Sequence, residues 1–471
     1  MTTTTKQQPH VLVFPYPAQG HTLPLLDLTH QLSLHNLTIT ILTTPKNLPT
    51  VSPLLSLHPQ IQTLVLPFPS HPLIPAGVEN VQELGNYGNL PVIAASTKLY
   101  DPIVTWFKSH TNPPVAIISD FFLGWTQHLA QDLNIPGFAF YPSGAFFIGI
   151  MNYCWANLEI VKGLGVVDFV GLPRSPSFKQ EHLPSGIRMY QESDPDCQLR
   201  KDSLVANKLS HGFIFNSFES LEGDYLGFLK REVGHERVYA VGPINLLGPD
   251  STDGGIPVTS SSGNVFEWLD GCPDGSVLYV CFGSQKLLSK KQMEALADGL
   301  EKSMVRFIWV VKTGTAQQVE DGYGAVPDGF DDRLAGRGLV IRGWAPQVKI
   351  LRHRAVGGFL SHCGWNSILE GIAAGAMILA WPMEADQFID ARLVVEEELG
   401  VGVAACEGDA TVPDSEELAK VIGESMSEEG TGVRMKAMEL KRKALEAVKE
   451  GGRSLNDLNG LVKELCKLKI Q

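Results

Sequence analysis

Residues 344–387 read WAPQVKILRHRAVGGFLSHCGWNSILEGIAAGAMILAWPMEADQ, and the fold class follows from their order. Gly357 to Ser361 is a short apolar run bounded by turn residues, which predicts a buried strand. His362-Cys363-Gly364-Trp365 turns directly into a helix beginning near Asn366 and Ser367, and Ala376 to Ala380 is the next buried strand. Strand, helix and strand in this order are the unit of a parallel sheet. The turn leaves free backbone N–H groups and the positive end of the helix dipole at the carboxyl end of the strand. Open α/β sheets bind ligands at those ends, so the turn is expected to hold an anion such as a diphosphate. His362, Asn366 and Ser367 add side-chain donors, and Gly364 lets the backbone approach closely. Trp344 ends a strand and offers a flat face for a base to stack on, with backbone groups at Ala345 beside it to read the base edge.

The same alternation extends outward in both directions. Strand-like runs occur at His10 to Phe14, Thr38 to Leu42, Val115 to Ser119, Gly137 to Tyr141 and Gly212 to Phe215. A second set lies at Ser276 to Phe282, Arg306 to Val311, Gly338 to Ile341 and the two strands above. Met293, Leu296, Ala297 and Leu300 have the spacing of one buried helix face. Two Rossmann-like, doubly wound α/β domains are therefore expected, residues 1–244 and 265–450. The Gly-, Ser- and Thr-rich segment 245–264 has little to bury and reads as the linker. Residues 451–471 are expected to form a helix that packs back on the first domain, and the charges of Val433 to Val448 read as a solvated helix face. Ser284, after the strand ending at Phe282, is a further donor for the anion.

Composition excludes several classes. A formal net charge of −13 argues against a protein that grips nucleic acid through phosphates. Seven cysteines without C-x-x-C spacing predict free thiols and no zinc site. The first ten residues lack the pattern of a secretory leader, so a cytoplasmic location is expected, and a monomer is the expected state. Leu133 to Leu158 carries no charge, but Pro136, Pro142 and its glycines predict a strand, a turn and a helix instead of a membrane span. Neither half has G-x-G-x-x-G after its first strand, which removes the main support for a nicotinamide enzyme. Asp194-Pro195-Asp196 is a literal D-x-D, yet it sits in a polar, loop-like segment, and no metal or cofactor is expected.

The 344–387 segment resembles the signature box of the plant family one UDP-dependent glycosyltransferases, through W-x-P-Q, H-C-G-W-N-S-x-x-E and the closing D-Q. PYPAQGH at Pro15 to His21, SDFF at Ser119 to Phe122 and FGS at Phe282 to Ser284 are similar to that family too. The resemblance implies the two-domain GT-B architecture with the sugar donor in the C-terminal half. It assigns Gln347 and Glu370 to the ribose hydroxyls, and Asp386 and Gln387 to the transferred sugar, with Trp365 lining the same site. A closing Gln implies UDP-glucose as donor over UDP-galactose or UDP-rhamnose.

For the chemical step, a phenol is mostly neutral at pH 7 and gains from a base that removes its proton. His21, following the first strand, is the candidate, and Asp120 could hold its tautomer or simply cap the helix that follows. At the family's two strand ends they imply an in-line, inverting displacement. Phe121, Phe122, Phe146 and Phe147 are candidate acceptor surface, with loops 70–91 and 173–197 completing the pocket. The resemblance points to a flavonoid or other small phenolic acceptor. Rhamnosyl transfer and a catalytically idle binding protein on the same fold are the competing readings.

Overall fold

The computed structural model describes residues 8–469 except 86–87, 248–262, 313, 315–317, 319, 321, 335 and 397–398. Most of the expected linker, 248–262, thus lies outside the described residues. Two parallel sheets dominate. The first takes β1 (His10–Phe14), β2 (Thr38–Thr43), β3 (Gln62–Val65), β4 (Ala116–Asp120), β5 (Gly137–Tyr141), β8 (Gly212–Phe215) and β9 (Val238–Ala240). Its order is β3-β2-β1-β4-β5-β8-β9. The second takes β10 (Val277–Cys281), β11 (Arg306–Val311), β12 (Gly338–Arg342), β13 (Val356–Ser361), β14 (Met377–Ala380) and β15 (Gly402–Ala404), in the order β12-β11-β10-β13-β14-β15. A small antiparallel pair, β6 (Val166–Asp168) and β7 (Ser177–Lys179), lies between β5 and β8 in the chain.

The central strands β1, β4 and β5 are buried along their whole length, as strands covered by helices on both faces must be. In each sheet the chain starts in the middle, builds one side, and returns to build the other. The switch lies between β1 and β4 in the first sheet and between β10 and β13 in the second. A crevice opens at such a point, at the carboxyl ends of the strands.

The helix Arg453–Leu465 returns to the first sheet, where Leu458, Leu461, Val462 and Leu465 share a core with Val11, Val13 and Ile41. Asp457 accepts the Ala240 N–H at 3.0 Å and Ser454 donates to the Gly242 carbonyl at 2.6 Å, so the helix covers the β9 edge. The charged helix Thr431–Val448 is solvated on one face and buries Ala437, Leu440 and Ala444 on the other. Residues 133–158 divide into β5, a turn and the helix Ala145–Ala156. Among the described residues no helix is long and apolar enough to cross a membrane.

Candidate active site

Both switch points carry predicted residues. His21 lies in the first turn of the helix Gln19–Ser33, just past β1, and Asp120 is the last residue of the neighbouring β4. Asp120 Oδ2 meets His21 Nδ1 at 2.9 Å, with the carboxylate fully buried and the imidazole 19% exposed. Its other oxygen accepts the Phe122 N–H at 2.9 Å. Capping and pairing with histidine, two readings that competed in the sequence, are thus done at once by two oxygens of one side chain. A carboxyl oxygen on Nδ1 favours the tautomer that carries its proton there, which leaves the lone pair on Nε2. Nε2 has no hydrogen-bond partner among the described residues, while Phe121 and Phe122 lie 5.8 and 4.5 Å from the ring.

Ser284 and His362 follow the two strands of the second switch point, β10 and β13. The imidazole of His362 sits between two glycines: a Cβ on Gly283 would come within 2.7 Å of it, and one on Gly364 within 2.8 Å. Gly364 therefore makes room for the His362 ring. Burial pushes the His362 pKa down to about 4, so the ring is neutral, and Nδ1 is buried without a partner. Cys363 takes a left-handed φ of 65°, held by its N–H to Ser361 Oγ at 3.0 Å. The helix Trp365–Ala374 that follows has no side-chain cap, and Ile368 makes the first bond back to Gly364. The N–H groups before Ile368 are the free donors expected of an anion site.

Trp344 lies two residues beyond β12, half-exposed, and makes neither a ring contact nor a hydrogen bond among the described residues. A flat unoccupied face fits stacking better than core packing. Gln347 donates to Glu370 at 2.6 Å and accepts from Tyr279 at 3.2 Å, so the two ribose candidates form one polar pair.

Three predicted contacts take a different form. Gln387 Oε1 accepts two backbone N–H groups, from Met383 and Glu384, each at 3.0 Å. Both partners are donors, so the amide orientation is determined, and only its NH2 remains for a sugar hydroxyl. Trp365 is 2% exposed and donates its indole N–H to the Asn216 carbonyl at 2.8 Å, which makes it a bridge between the two halves. Asn366 likewise donates to the Gly20 carbonyl, beside His21, at 2.7 Å.

The acceptor side also changes. Phe146 stacks on Tyr225 at 4.4 Å and, like Phe147, is buried, so both belong to the core instead of the pocket surface. Phe121 lies beside His21 but is equally buried, its other neighbour being Tyr141 at 5.2 Å, so Phe122 alone of the four keeps exposed surface next to the imidazole. Loops 70–91 and 173–197 are joined by His71 and Asp196 at 3.0 Å. Part of the second loop, however, grips the donor half: Arg392 donates to the Ser177 carbonyl, and His182 stacks on Phe388 at 4.3 Å. Asp194 opens the helix Pro195–Ala206 as its cap, accepting the Asp196 N–H at 2.9 Å, so D-x-D is helix-start chemistry and not a loop. Among the described residues no group of three or more His, Cys, Asp or Glu could hold a metal ion.

The sequence alone missed Ser143, Asn216 and Glu222. Ser143 lies two residues past β5 and Asn216 directly follows β8, a position that marks the ligand edge of a parallel sheet. Glu222 is 1% exposed and accepts the Ala145 and Phe146 N–H groups at 2.9 and 2.8 Å and the Ser217 hydroxyl at 2.6 Å. Nothing in the sequence separates it from the other acidic residues of its helix.

Trp365 to Asn216 and Asn366 to Gly20 join residues just past the carboxyl ends of strands in both sheets, so those ends face one another. Two such domains around one crevice define a sugar transferase of the GT-B class. A family model described as UDP-glucoronosyl and UDP-glucosyl transferase matches residues 251–429. UDP-glycosyltransferase 89A2 of Arabidopsis thaliana is 52% identical, over 98% of this chain and 96% of its own. Flavonol 3-O-glucosyltransferase UGT89B1 of the same plant is 51% identical, over 98% and 96%. The crystal structure of Arabidopsis thaliana UGT89C1 complexed with UDP-L-rhamnose superposes with a TM-score of 0.80 at 39% identity, covering 98% of this chain and 100% of that one. The chain belongs to the UDP-dependent glycosyltransferases and is an enzyme of that family.

Proposed function

We propose that the enzyme transfers glucose from UDP-glucose to a hydroxyl of a flavonol or similar small phenolic, with inversion and without a metal. The observation that carries this reading is the His21–Asp120 pair at 2.9 Å, with Nε2 free beside Phe121 and Phe122. Nε2 takes the phenolic proton as the oxygen attacks the anomeric carbon. The new C–O bond forms as the bond to the UDP oxygen breaks, and the proton remains on His21, where Asp120 stabilises the imidazolium. Charge that develops on UDP is received by the uncapped helix start at Trp365 to Ser367, with Ser284 and neutral His362 as further donors. Trp344 stacks on the base, Gln347 and Glu370 meet the ribose, and Asp386 and Gln387 meet the sugar.

A flavonol acceptor and a glucose donor are supported by the 51% identical flavonol 3-O-glucosyltransferase. The rhamnosyl reading draws on the UDP-L-rhamnose complex of the 39% identical UGT89C1. UDP release with UDP-glucose, UDP-rhamnose and UDP-galactose, each with a flavonol and hydroxybenzoate panel in chelator, separates them. Release from UDP-glucose is the expected result. Release from UDP-rhamnose alone would keep the mechanism and overturn the donor, and a need for added metal would overturn the metal-free step.

A further inference from the structure

The helix Pro195–Ala206 carries a cation, Arg200, that the chemistry above does not use. Ser203 of this helix donates to the Phe122 carbonyl at 3.0 Å, and Asn207, just past its end, donates to the Phe121 carbonyl at 2.7 Å. The fit is close: a Cβ on Gly124 would fall 1.9 Å from the Ser203 carbonyl. Arg200, Ser203 and Asn207 recur at i, i+3 and i+7, so Arg200 shares the helix face that lies against the aromatic pair beside His21. One turn earlier on that face, Asp196 pairs with His71 at 3.0 Å. Arg200 therefore stands between the junction of loops 70–91 and 173–197 and the segment that carries Phe122, on the acceptor side of the crevice.

Its guanidinium is half-buried and short of partners. Nη2 donates to the Gly186 carbonyl at 2.8 Å, and Nε is buried without a partner. Among the described residues Arg200 forms no ion pair, because the acids of its own helix start are engaged elsewhere. Asp194 accepts the Asp196 N–H at 2.9 Å and faces the Cys197 thiol, and Asp196 is held by His71. Arg200 is close enough for its charge to act on Tyr16, whose ring stands 5.3 Å from His21 and 5.0 Å from Phe122. The Tyr16 hydroxyl is itself spent on Asn89, at 2.9 Å. A guanidinium keeps its charge at any working pH and presents several N–H donors in one plane, so most of them are left for a ligand. A carboxylate, which accepts two parallel N–H bonds, is the best complement.

We propose that Arg200 is an acceptor-specificity residue: it binds the carboxylate of a phenolic acid whose hydroxyl is presented to His21. Among small phenolics, acids are then favoured over neutral analogues of the same size. The inference narrows the proposed glycosyl transfer and rests on it, because His21 as the base defines where the acceptor lies.

The test sets 3- and 4-hydroxybenzoate each against its methyl ester in the full chain, with whichever sugar donor the UDP-release assay selects and a flavonol run alongside. The readout is the ratio of kcat/KM for acid over ester. In the wild type the acid should lead its ester about 10- to 100-fold for at least one isomer, the worth of hydrogen bonds to a charged group. Arg200→Gln, which stays polar but removes the charge, should bring the ratio close to one, and Arg200→Lys, which restores the charge, should recover part of it. Equal use of acid and ester by the wild type would overturn the inference, as would a ratio that survives in Arg200→Gln. An alkali-labile product from the acid would overturn it too, since a sugar ester places the carboxylate at His21 instead of Arg200. Turnover of the flavonol with neither benzoate would overturn the role of Arg200 and leave glycosyl transfer standing, whereas silence with every acceptor would sink both.

Discussion

Trp365, on the helix that follows β13, donates its indole N–H at 2.8 Å to the carbonyl of Asn216, which follows β8 in the other half of the molecule. The ring lies so close to Gly144 that a Cβ there would come within 2.8 Å of it, and within 2.6 Å of Glu222. Trp365→Phe keeps most of the ring and leaves the Asn216 carbonyl unpaired, so it should cost about 1–2 kcal/mol in a urea titration. Gly144→Ala forces the halves apart or displaces Glu222 and should cost about 1–3 kcal/mol. If both variants unfold with wild-type midpoints, the bridge contributes nothing to stability.

Asp120→Asn isolates the pairing of Asp120 with His21 from its role as a cap. The amide oxygen can still accept the Phe122 N–H, while the amide nitrogen would face His21 Nδ1 and favour the wrong tautomer. Turnover should fall by roughly 100- to 10,000-fold at unchanged UDP affinity, with His21→Ala similarly impaired. Stopped turnover with UDP affinity and melting temperature intact is the expected pattern; wild-type turnover in either variant would remove His21 as the base.

The two oxygen contacts of Gln387 make a sharper experiment than its deletion. Gln387→Glu preserves an acceptor for Met383 and Glu384 and loses the NH2 donor. Stability should stay within about 0.5 kcal/mol of wild type, and KM for the sugar donor should rise about fivefold to tenfold. Gln387→Ala should lose both, because the loop ahead of the helix Gln387–Val395 would be left with two unpaired N–H groups. An unchanged KM in Gln387→Glu would confine Gln387 to a structural role.

What the sequence made legible follows from how each signal is encoded. Long central strands such as β1, β5 and β11 are continuous apolar runs and can be read to the residue. The strands that escaped are short or at edges: β3 buries only Leu64, and β9 and β15 have three residues each. A paired edge strand needs few apolar side chains of its own, so its pattern is weak. The His21–Asp120 pair was legible because each residue ends a strand of one sheet. Trp365 to Asn216 and Asn366 to Gly20 are contacts between distant segments, set by how the two sheets face each other, and nothing in a local spacing encodes that. Phe146 shows the converse error, since an aromatic near a strand end looks the same whether it faces the crevice or Tyr225.

His362 gives the fold a pH dependence whose sign can be worked out. In the unfolded chain its pKa is near 6.5, and burial in the folded protein lowers it to about 4. Between those values the unfolded chain binds a proton that the folded one refuses, so acid favours unfolding. The contribution of His362 is fully present above about pH 6.5 and is lost as pH falls toward 4, by an amount of order 2 kcal/mol after allowance for the half-buried position of the residue as a whole. Urea midpoints from pH 7.5 to pH 4.5 should therefore fall less steeply in His362→Gln than in wild type. Because the ring is neutral throughout that range, the His362 contribution to UDP binding should not titrate between pH 5 and 8, and a UDP affinity that rises on acidification in wild type but not in His362→Gln would mean that the ring is charged at the diphosphate.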